Sequence, residues 1–557
     1  TKTMGRTERF IDPKSSNATA RTANSSTSTN SSLLGDLYTT SSDNTKWDTQ
    51  FSLYYSRSLG LHNLNVSAIV NAQSTKSEST SAHYRGFPSG AFHSPNYAAE
   101  IYQKPSKSES LKRLVGFLLS ANYTWNDIYL ADLSVRFDGS SEFGSDQKWA
   151  PFWSAGVGVN VHNYSFLKDN DMINQVKVRV SYGQTGKVNF PSYSAKTVYA
   201  TNDRWYATGF GTQLKALGNH NLKWETTNKL NMGTDLQFWN ERISLNFDYY
   251  YNKTVDLITD VSLPASAGFT SYKDNLGETL NKGFDIQVRF DVYKDNDWNV
   301  SLWGNLNHNR NEILKISDAL RAYNDRVNEK YEAAEDAQGN VNLSAYGSEY
   351  SEPEMKYEEG ASLTSIFAIR SLGIDPMTGN ELFLYRDGSV SSLWKATETV
   401  RVGDEEPKAS GSFGVNLTYK NLTLFASFAY DWGKQTYNQT LVDGVENADI
   451  ENSNVDRRVL TQRWQKPGDI APLRNIKDMN TSTMPTSRFV QDDNELSLSA
   501  LTLSYDFNTD WLKKIRLKML RLELSTNDLF RASTVRQERG TSYPFARTFN
   551  FSLRATF

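Results

Sequence analysis

The sequence predicts an all-β protein: one large antiparallel barrel that crosses a membrane. Three observations predict it. Long segments alternate apolar and polar residues with a period of two. Short turns and long polar connections follow one another between those segments. The chain also carries 29 Tyr, 28 Phe and 13 Trp, far more rings than so polar a sequence needs for a soluble core. A membrane barrel uses such rings as girdles at both interfaces.

Composition removes several alternatives. At 557 residues the chain is too long for one ordinary compact core, so it is either several domains or one closed sheet. Cysteine is absent, which excludes disulfide scaffolds and thiolate metal sites. A formal net charge of −3 gives no reason to expect nucleic acid or another polyanion as partner. Mean hydropathy is −0.59, and no apolar run reaches the roughly 18 residues that mark a membrane helix. The chain begins Thr1-Lys2-Thr3-Met4 with no secretory signal. An outer-membrane protein is made with one, so the expectation is a mature or trimmed sequence or, preferably, a fragment.

Taken in order, residues 1–46 read as a loop-rich segment, partly disordered, with a Ser/Thr/Asn-rich stretch at Ser15–Ser32. Residues 47–557 read as barrel. Leu114–Tyr123 and Ile128–Phe137 flank the turn Trp125-Asn126-Asp127. Val176, Val178, Val180 and Tyr182 share one face of the next clear strand. From Ile243, the residues Ile243, Leu245, Phe247, Tyr249 and Tyr251 face one way and Ser244, Asn246, Asp248, Tyr250 and Asn252 the other. Phe284, Ile286, Val288, Phe290 and Val292 repeat the pattern, as do Leu422, Leu424, Ala426, Phe428 and Tyr430, then Leu520, Leu522 and Leu524. Short turns such as Lys420-Asn421 and Asn240-Glu241 suit hairpins, because Asn and Asp tolerate left-handed backbone angles. Long connections fall near 74–110, 186–221, 317–362 and 435–494 and are read as extracellular loops. The alternation gives roughly 16 strands. Many segments run to about 9–12 residues, enough for a tilted strand to cross the hydrocarbon layer, and only a closed barrel satisfies strand backbones there. The last strand places Phe545, Arg547, Phe549, Phe551, Leu553, Ala555 and Phe557 on one face. Its terminal aromatic residue, Phe557, is expected to be the assembly signal of an outer-membrane barrel.

No catalytic or metal-binding constellation emerges, and no cofactor is called for. His62, His83, His93, His162, His220 and His308 form no zinc-like pair. Nucleophile-elbow, Walker and dinucleotide-loop patterns are missing. Asp492-Asp493 and Glu405-Glu406 read as solvated turns at strand ends. Asp375, Thr378, Gly379, Asp387 and Gly388 look calcium-like, but their spacing does not fit an EF-hand loop, so hairpin turns are preferred. Two loop clusters pair rings with hydrogen-bonding groups, as sugar or peptide pockets do: Tyr84, Arg85 and Phe87, and Arg204, Trp205 and Tyr206. These six are the candidate substrate-binding residues. Ser317–Gly360, rich in Glu and Asp with Tyr346, Tyr350 and Tyr357 interspersed, reads equally as a partner surface or a solvated loop.

The run DLSVRFDGSSEFGSDQKWAPFWSAGVGVN at Asp132–Asn160 resembles the barrel of SusC-like TonB-dependent outer-membrane transporters of Bacteroidetes. VKVRVSYGQTGKVNF, NHNLKWETTNKLNMGTDLQF, NLGETLNKGFDI, RSLGIDPMTGNELF, RWQKPGD and the C-terminal SYPFARTFNFSLRATF continue the resemblance in order. Lys187 stands where that family usually has Asn, and His220 where Pro is common. The resemblance is good over 111–557 and loose over 47–110. It implies a barrel of about 22 strands, the plugged-transporter size, with an N-terminal plug and a TonB-contacting segment. Nothing plug-like is visible in this chain, so plug and first strands are expected upstream, on the same natural chain or on another polypeptide. The resemblance further implies a SusD-like lipoprotein as partner, energisation by the TonB complex, a glycan or peptide cargo, outer-membrane lipid around the wall, and room for a dimer of the transporter–lipoprotein pair.

Three functions compete at this stage. The first is active import of a glycan or oligopeptide. The second is a passive porin or surface adhesin. The third is a soluble glycan-binding module or glycosidase, disfavoured by strand length, by Phe557 and by the lack of a suitable carboxylate pair.

Overall fold

The computed structural model describes residues 1–14, 34–143, 148–168, 170–187, 195–206, 209–219, 221–262, 271–275, 277–332, 350–450, 454–475, 483–507, 511–512, 516–536 and 547–557. The period-two segments become 17 strands of one sheet. They are β1 Lys2–Ile11, β2 Asp36–Leu59, β3 His62–Arg85, β4 Glu100–Trp125, β5 Tyr129–Ser140, β6 Trp149–Asn160, β7 Ile173–Lys187, β8 Glu225–Phe238 and β9 Ile243–Val255. They continue as β10 Glu278–Lys294, β11 Trp298–Lys315, β12 Ala409–Tyr419, β13 Leu422–Tyr437, β14 Val490–Asp506, β15 Met519–Asn527, β16 Arg531–Ser533 and β17 Phe549–Thr556. Each pairs antiparallel with its successor, except that β15 and β16 both pair with β14 and so fill one position, and β17 pairs with β15. Among the described residues no ladder joins β1 to β17.

Register carries one apolar face from strand to strand. Phe51 faces Val70, Val70 faces Phe117, Phe117 faces Phe137 and Phe137 faces Pro151. Further round, Tyr182 faces Leu230 and Leu230 faces Tyr251; Phe247 faces Ile286 and Ile286 faces Leu306. The row closes on Leu503, Leu524 and Phe551. These side chains are outside, not in a core: Phe51, Leu119 and Val157 are 67%, 55% and 64% exposed. In lipid that costs nothing, and a slip of one residue would turn every one of them into the lumen. The opposite face holds charge pairs. Arg179 meets Asp248 at 2.6 Å and Asp235 at 3.5 Å. Ser67 meets Ser120 at 2.6 Å, and Ser134 meets Ser154 at 2.7 Å.

Turns and loops alternate by end. One end has the tight connections 60–61, 126–128, 239–242, 295–297 and 420–421. Asn126 and Asp127 take φ of 53° and 54°, as expected of their short polar side chains, while Trp239 at 54° shows that a bulky residue is also forced there. The other end carries the longest connections, including 86–99, 188–224, 316–408 and 438–489.

Five expected boundaries need correction. The segment 1–46 is not loop-rich throughout, because β1 and the start of β2 lie in it; the Ser/Thr/Asn-rich stretch itself is outside the described residues. The connection expected at 74–110 shrinks to 86–99, since β3 runs on to Arg85 and β4 starts at Glu100. Strands of 24 and 26 residues are more than twice the roughly 9–11 that span the hydrocarbon. Their extensions lack an apolar face, because neither lipid nor core covers them, so periodicity could not reveal them. Cross-strand pairs hold them instead: Lys107 to Glu78 at 2.8 Å, Lys76 to Glu109 at 3.3 Å and Ser81 to Ser106 at 2.8 Å. The connection at 317–362 in truth extends over 316–408, because β11 pairs directly with β12. The connections at 186–221 and 435–494 become 188–224 and 438–489, set by the ends of β7, β8, β13 and β14. The long connections are also structured. They contain helix α1, Asp318–Glu332, and short hairpins such as Val198–Tyr206 with Gly209–Ala216.

Candidate functional site: the loop crown at the barrel mouth

The long connections gather at one end of the sheet as a crown in three parts. The first stands on the tall strands β2–β4. His83 Nε2 lies 2.7 Å from Asp36 Oδ1 and both are buried. Arg85 Nε donates to the same carboxylate at 3.3 Å, and its guanidinium lies 3.4 Å from the centroid of the Tyr102 ring. Tyr38 stacks on His83 at 4.0 Å. A His–Asp pair invites comparison with a catalytic dyad. Here it sits between two rings with no hydroxyl or thiol in reach of the imidazole among the described contacts, so it orients side chains.

The second part is a cluster of rings where loops meet strand ends. Phe143 and Leu222 are fully buried, and Trp224 is nearly so. Phe143 stacks on Trp224 at 4.5 Å, and Phe152 meets Trp224 edge-on at 5.6 Å. Gly186 makes room: a Cβ there would collide with the Phe152 ring. The segments SSEFG and LKWE, read in the sequence as barrel motifs, are therefore brought together to anchor loops.

The third part fuses the two longest connections. Tyr331, Tyr350, Phe383, Trp394, Ile369 and Met484 share one apolar cluster, so residues from 316–408 and 438–489 are in a single core. Backbone bonds add to it: Ile369 N donates to Pro485 O at 3.2 Å and Ser487 N to Ile369 O at 2.9 Å. Trp394 Nε1 donates to Pro485 O at 3.0 Å. At the centre Arg488 Nη2 reaches Glu381 Oε2 at 2.8 Å and Glu446 Oε1 at 2.6 Å, and Nη1 donates to Pro472 O at 2.6 Å. Glu446 is fully buried. Burial alone would lower the Arg488 pKa; Glu381 and Glu446 outweigh it and hold the guanidinium above its ordinary range. Lys356, 7% exposed, donates to Asn328 Oδ1 at 2.6 Å, Ala396 O at 2.8 Å and Thr399 Oγ1 at 2.6 Å. No carboxylate offsets its burial within hydrogen-bond reach. Burial first, and Arg386 second, lower its pKa to about 8.

The sequence candidates fall into the crown with different fates. Tyr84 and Arg85 close β3, half-buried beside the His83–Asp36 pair. Phe87 is 4% exposed and packs edge-on against Phe10 at 5.1 Å, so it supports the loop from beneath and is corrected from contact to support. Arg204, Trp205 and Tyr206 lie on the hairpin strand Val198–Tyr206, and their side chains are outside the described residues. Tyr346 also lies outside them. Asp375 and Asp387 cap turns as expected: Thr378 Oγ1 donates to Asp375 at 2.6 Å and Ser389 Oγ to Asp387 at 2.6 Å. Among the described residues no three His, Asp or Glu side chains gather as a metal site. Asp36, Glu381, Glu446, Lys356 and Arg488 were missed, because lone charged residues in loops carry no periodic signal.

Comparison with known proteins agrees with this architecture. The family model described as "TonB dependent receptor-like, beta-barrel" matches residues 6–364. A "TonB-dependent receptor P3" of Formosa agariphila is 28% identical over 86% of this chain and 47% of its own length. "TonB-dependent receptor SusC" of Bacteroides thetaiotaomicron is 30% identical over 49% of this chain and 28% of its own. The chain thus spans about half or less of the curated relatives it matches. Among solved structures, one described as the RagAB peptide transporter superposes with a TM-score of 0.79 at 22% identity, over 96% of this chain and 56% of that one. At that identity the likeness speaks for the fold.

Proposed function

We propose a function from one premise: the chain belongs to the TonB-dependent receptor-like β-barrel family. It is an integral protein of the outer membrane of a Gram-negative bacterium. On that premise it forms the wall and crown of an importer that takes up a glycan or an oligopeptide. The importer works through TonB with a SusD-like lipoprotein at the crown, and its plug and TonB-contacting segment lie outside this sequence. The two systems it resembles give that range, since one carries the name SusC and the other is called a peptide transporter.

The observation that carries the reading is the pairing of a lipid-facing row, carried by register from strand to strand, with a polar, charge-paired opposite face beneath a crown whose two longest connections share one core. A wall of that kind isolates polar cargo from lipid, and a rigid crown offers a docking face. Tyr84, Arg85, Arg204, Trp205 and Tyr206 are proposed as cargo contacts, with stacking rings and hydrogen-bonding heads. Phe557 is proposed as the assembly signal. No covalent step is required of the chain.

Deleting the gene and growing the bacterium on single polymers or peptides tests this. Loss of growth on one nutrient class is expected; full growth on every nutrient would overturn it. The natural full-length protein in planar bilayers should be closed at rest, whereas a large steady conductance would favour a passive porin.

A further inference from the structure

Two connections at the turn end are longer than a hairpin needs: 161–172 between β6 and β7, and 507–518 between β14 and β15. We propose that both are feet, lying outside the barrel wall in the phospholipid headgroup layer of the leaflet on that side.

Their direction is set by rings. On β4 the lipid-facing residues from Val115 to Trp125 cover about one spanning length of a tilted strand, roughly 9–11 residues, so Tyr123 and Trp125 mark the end of the hydrocarbon. Tyr129 lies opposite Trp125 on the same face, and the two rings stack at 5.3 Å. The first foot continues from there. Tyr164 meets Tyr129 edge-on at 6.2 Å, and its hydroxyl donates to the Tyr129 hydroxyl at 2.9 Å. Phe166 then stacks on Tyr164 at 5.7 Å and stands 73% exposed. The chain has therefore turned onto the lipid-facing side and not under the lumen. Its roots hold it there: Asn160 Nδ2 and Asn163 Nδ2 donate to Asp127 O at 2.8 and 2.7 Å, and Trp239 N donates to Met172 O at 2.9 Å.

The second foot repeats the construction with other residues. Tyr505 faces lipid, opposite Leu422 and Leu522. It meets Phe507 edge-on at 5.1 Å, and Phe507 meets Trp511 at 5.7 Å. Leu512 is buried while Trp511 beside it is 48% exposed. Water would leave these rings uncovered, and hydrocarbon would strand the tyrosine hydroxyls and the loop backbone. The headgroup layer suits both, because amphipathic rings settle there. Continuity favours lipid over another protein as the cover, since each ring row starts on a surface that already faces lipid.

The inference does not depend on the cargo. This chain holds no cysteine, so single nitroxide labels can be placed in the natural full-length protein once any cysteine outside this chain is replaced by serine. Labels at Phe166→Cys, Trp511→Cys, Leu119→Cys and Ile470→Cys are compared in vesicles of phosphatidylethanolamine and phosphatidylglycerol, by relaxation with oxygen and with a nickel chelate. Leu119 gives the hydrocarbon reference, and Ile470, 94% exposed in the crown, the water reference. The labels at 166 and 511 should fall between them, with nickel accessibility at most about a third of that at 470. Ser165→Cys, exposed beside Phe166, replaces the first variant if that one no longer migrates as a folded barrel without heating. Nickel accessibility equal to that at 470 overturns the foot at that site. Protection that disappears as the protein is diluted into more lipid also overturns it, because a second copy would then be the cover.

Discussion

The wall and the crown of this protein are built on opposite principles. In the wall, every residue obeys one rule repeated across the sheet: alternate side chains face lipid, and partners across each ladder face the same way. No single contact is decisive, because Phe117 opposite Val70 does the same work as Phe247 opposite Ile286. In the crown, no rule repeats. The two longest connections are joined by particular atoms, such as Arg488 between Glu381 and Glu446. The difference teaches where tolerance lies. The wall should resist most single changes that keep its alternation, while the crown should fail at a few places.

The sharpest test is Arg488. Replacing it by Leu removes the cation that, among the described residues, alone bridges both carboxylates, and leaves Glu446 buried. Breaking a buried pair by deleting one partner costs about 3–5 kcal/mol. The expected result is a crown that exchanges amide hydrogens and is cut by protease in 438–489, above a barrel whose heat-modifiable migration is unchanged. If the barrel melts with the crown, the two regions are one cooperative unit and the comparison fails.

The second test breaks the wall's rule. Leu119 on β4 and Ser134 on β5 lie on opposite faces of the sheet. Leu119→Arg places a charge in lipid, at about 2–4 kcal/mol near the bilayer midplane. Ser134→Arg places the same charge in a wet lumen and should cost far less. Urea titration of the two variants refolded in lipid vesicles separates them. Equal losses would mean that the lumen face is packed as tightly as the lipid face.

How much could be read beforehand follows the same division. Ile243 to Tyr251 announced its strand because lipid outside and water inside impose a period of two. The upper halves of β3 and β4 did not, since residues such as Ser77, Glu78 and Ser79 have water on both faces and only cross-strand hydrogen bonds to hold them. Phe143 and Trp224 were visible within their motifs, but that they meet follows from the registers that carry β5 through β6 and β7 to β8, and from loops far apart in sequence. Arg488 and Lys356 had no local mark at all. Their role comes from burial, which a sequence pattern reports only when many residues share it.

A smaller effect is expected at Lys356, where the variable is a proton and not a side chain. Its ammonium joins Asn328 of α1 to Ala396 and Thr399, and its pKa stands at about 8 against an ordinary value of 10.5. Arg386 opposes its charge and Glu358 favours it. When the crown lets go, Lys356 regains water and holds its proton up to the ordinary value. Between those two pH values the released state therefore binds more protons than the docked one, and docking strengthens as pH rises. Below pH 8 both states are charged and the slope vanishes. Hydrogen exchange of the peptide 318–332, corrected for intrinsic rate, should show protection growing from pH 8 toward 10 and level below pH 8. In Lys356→Met the slope should disappear, and protection at neutral pH should fall because Asn328 Oδ1 and Thr399 Oγ1 lose the Lys356 donor, while Ala396 O keeps Thr399. Protection that falls between pH 8 and 10 in the wild type would mean that the three hydrogen bonds outweigh burial, making the ammonium a clamp that alkali releases.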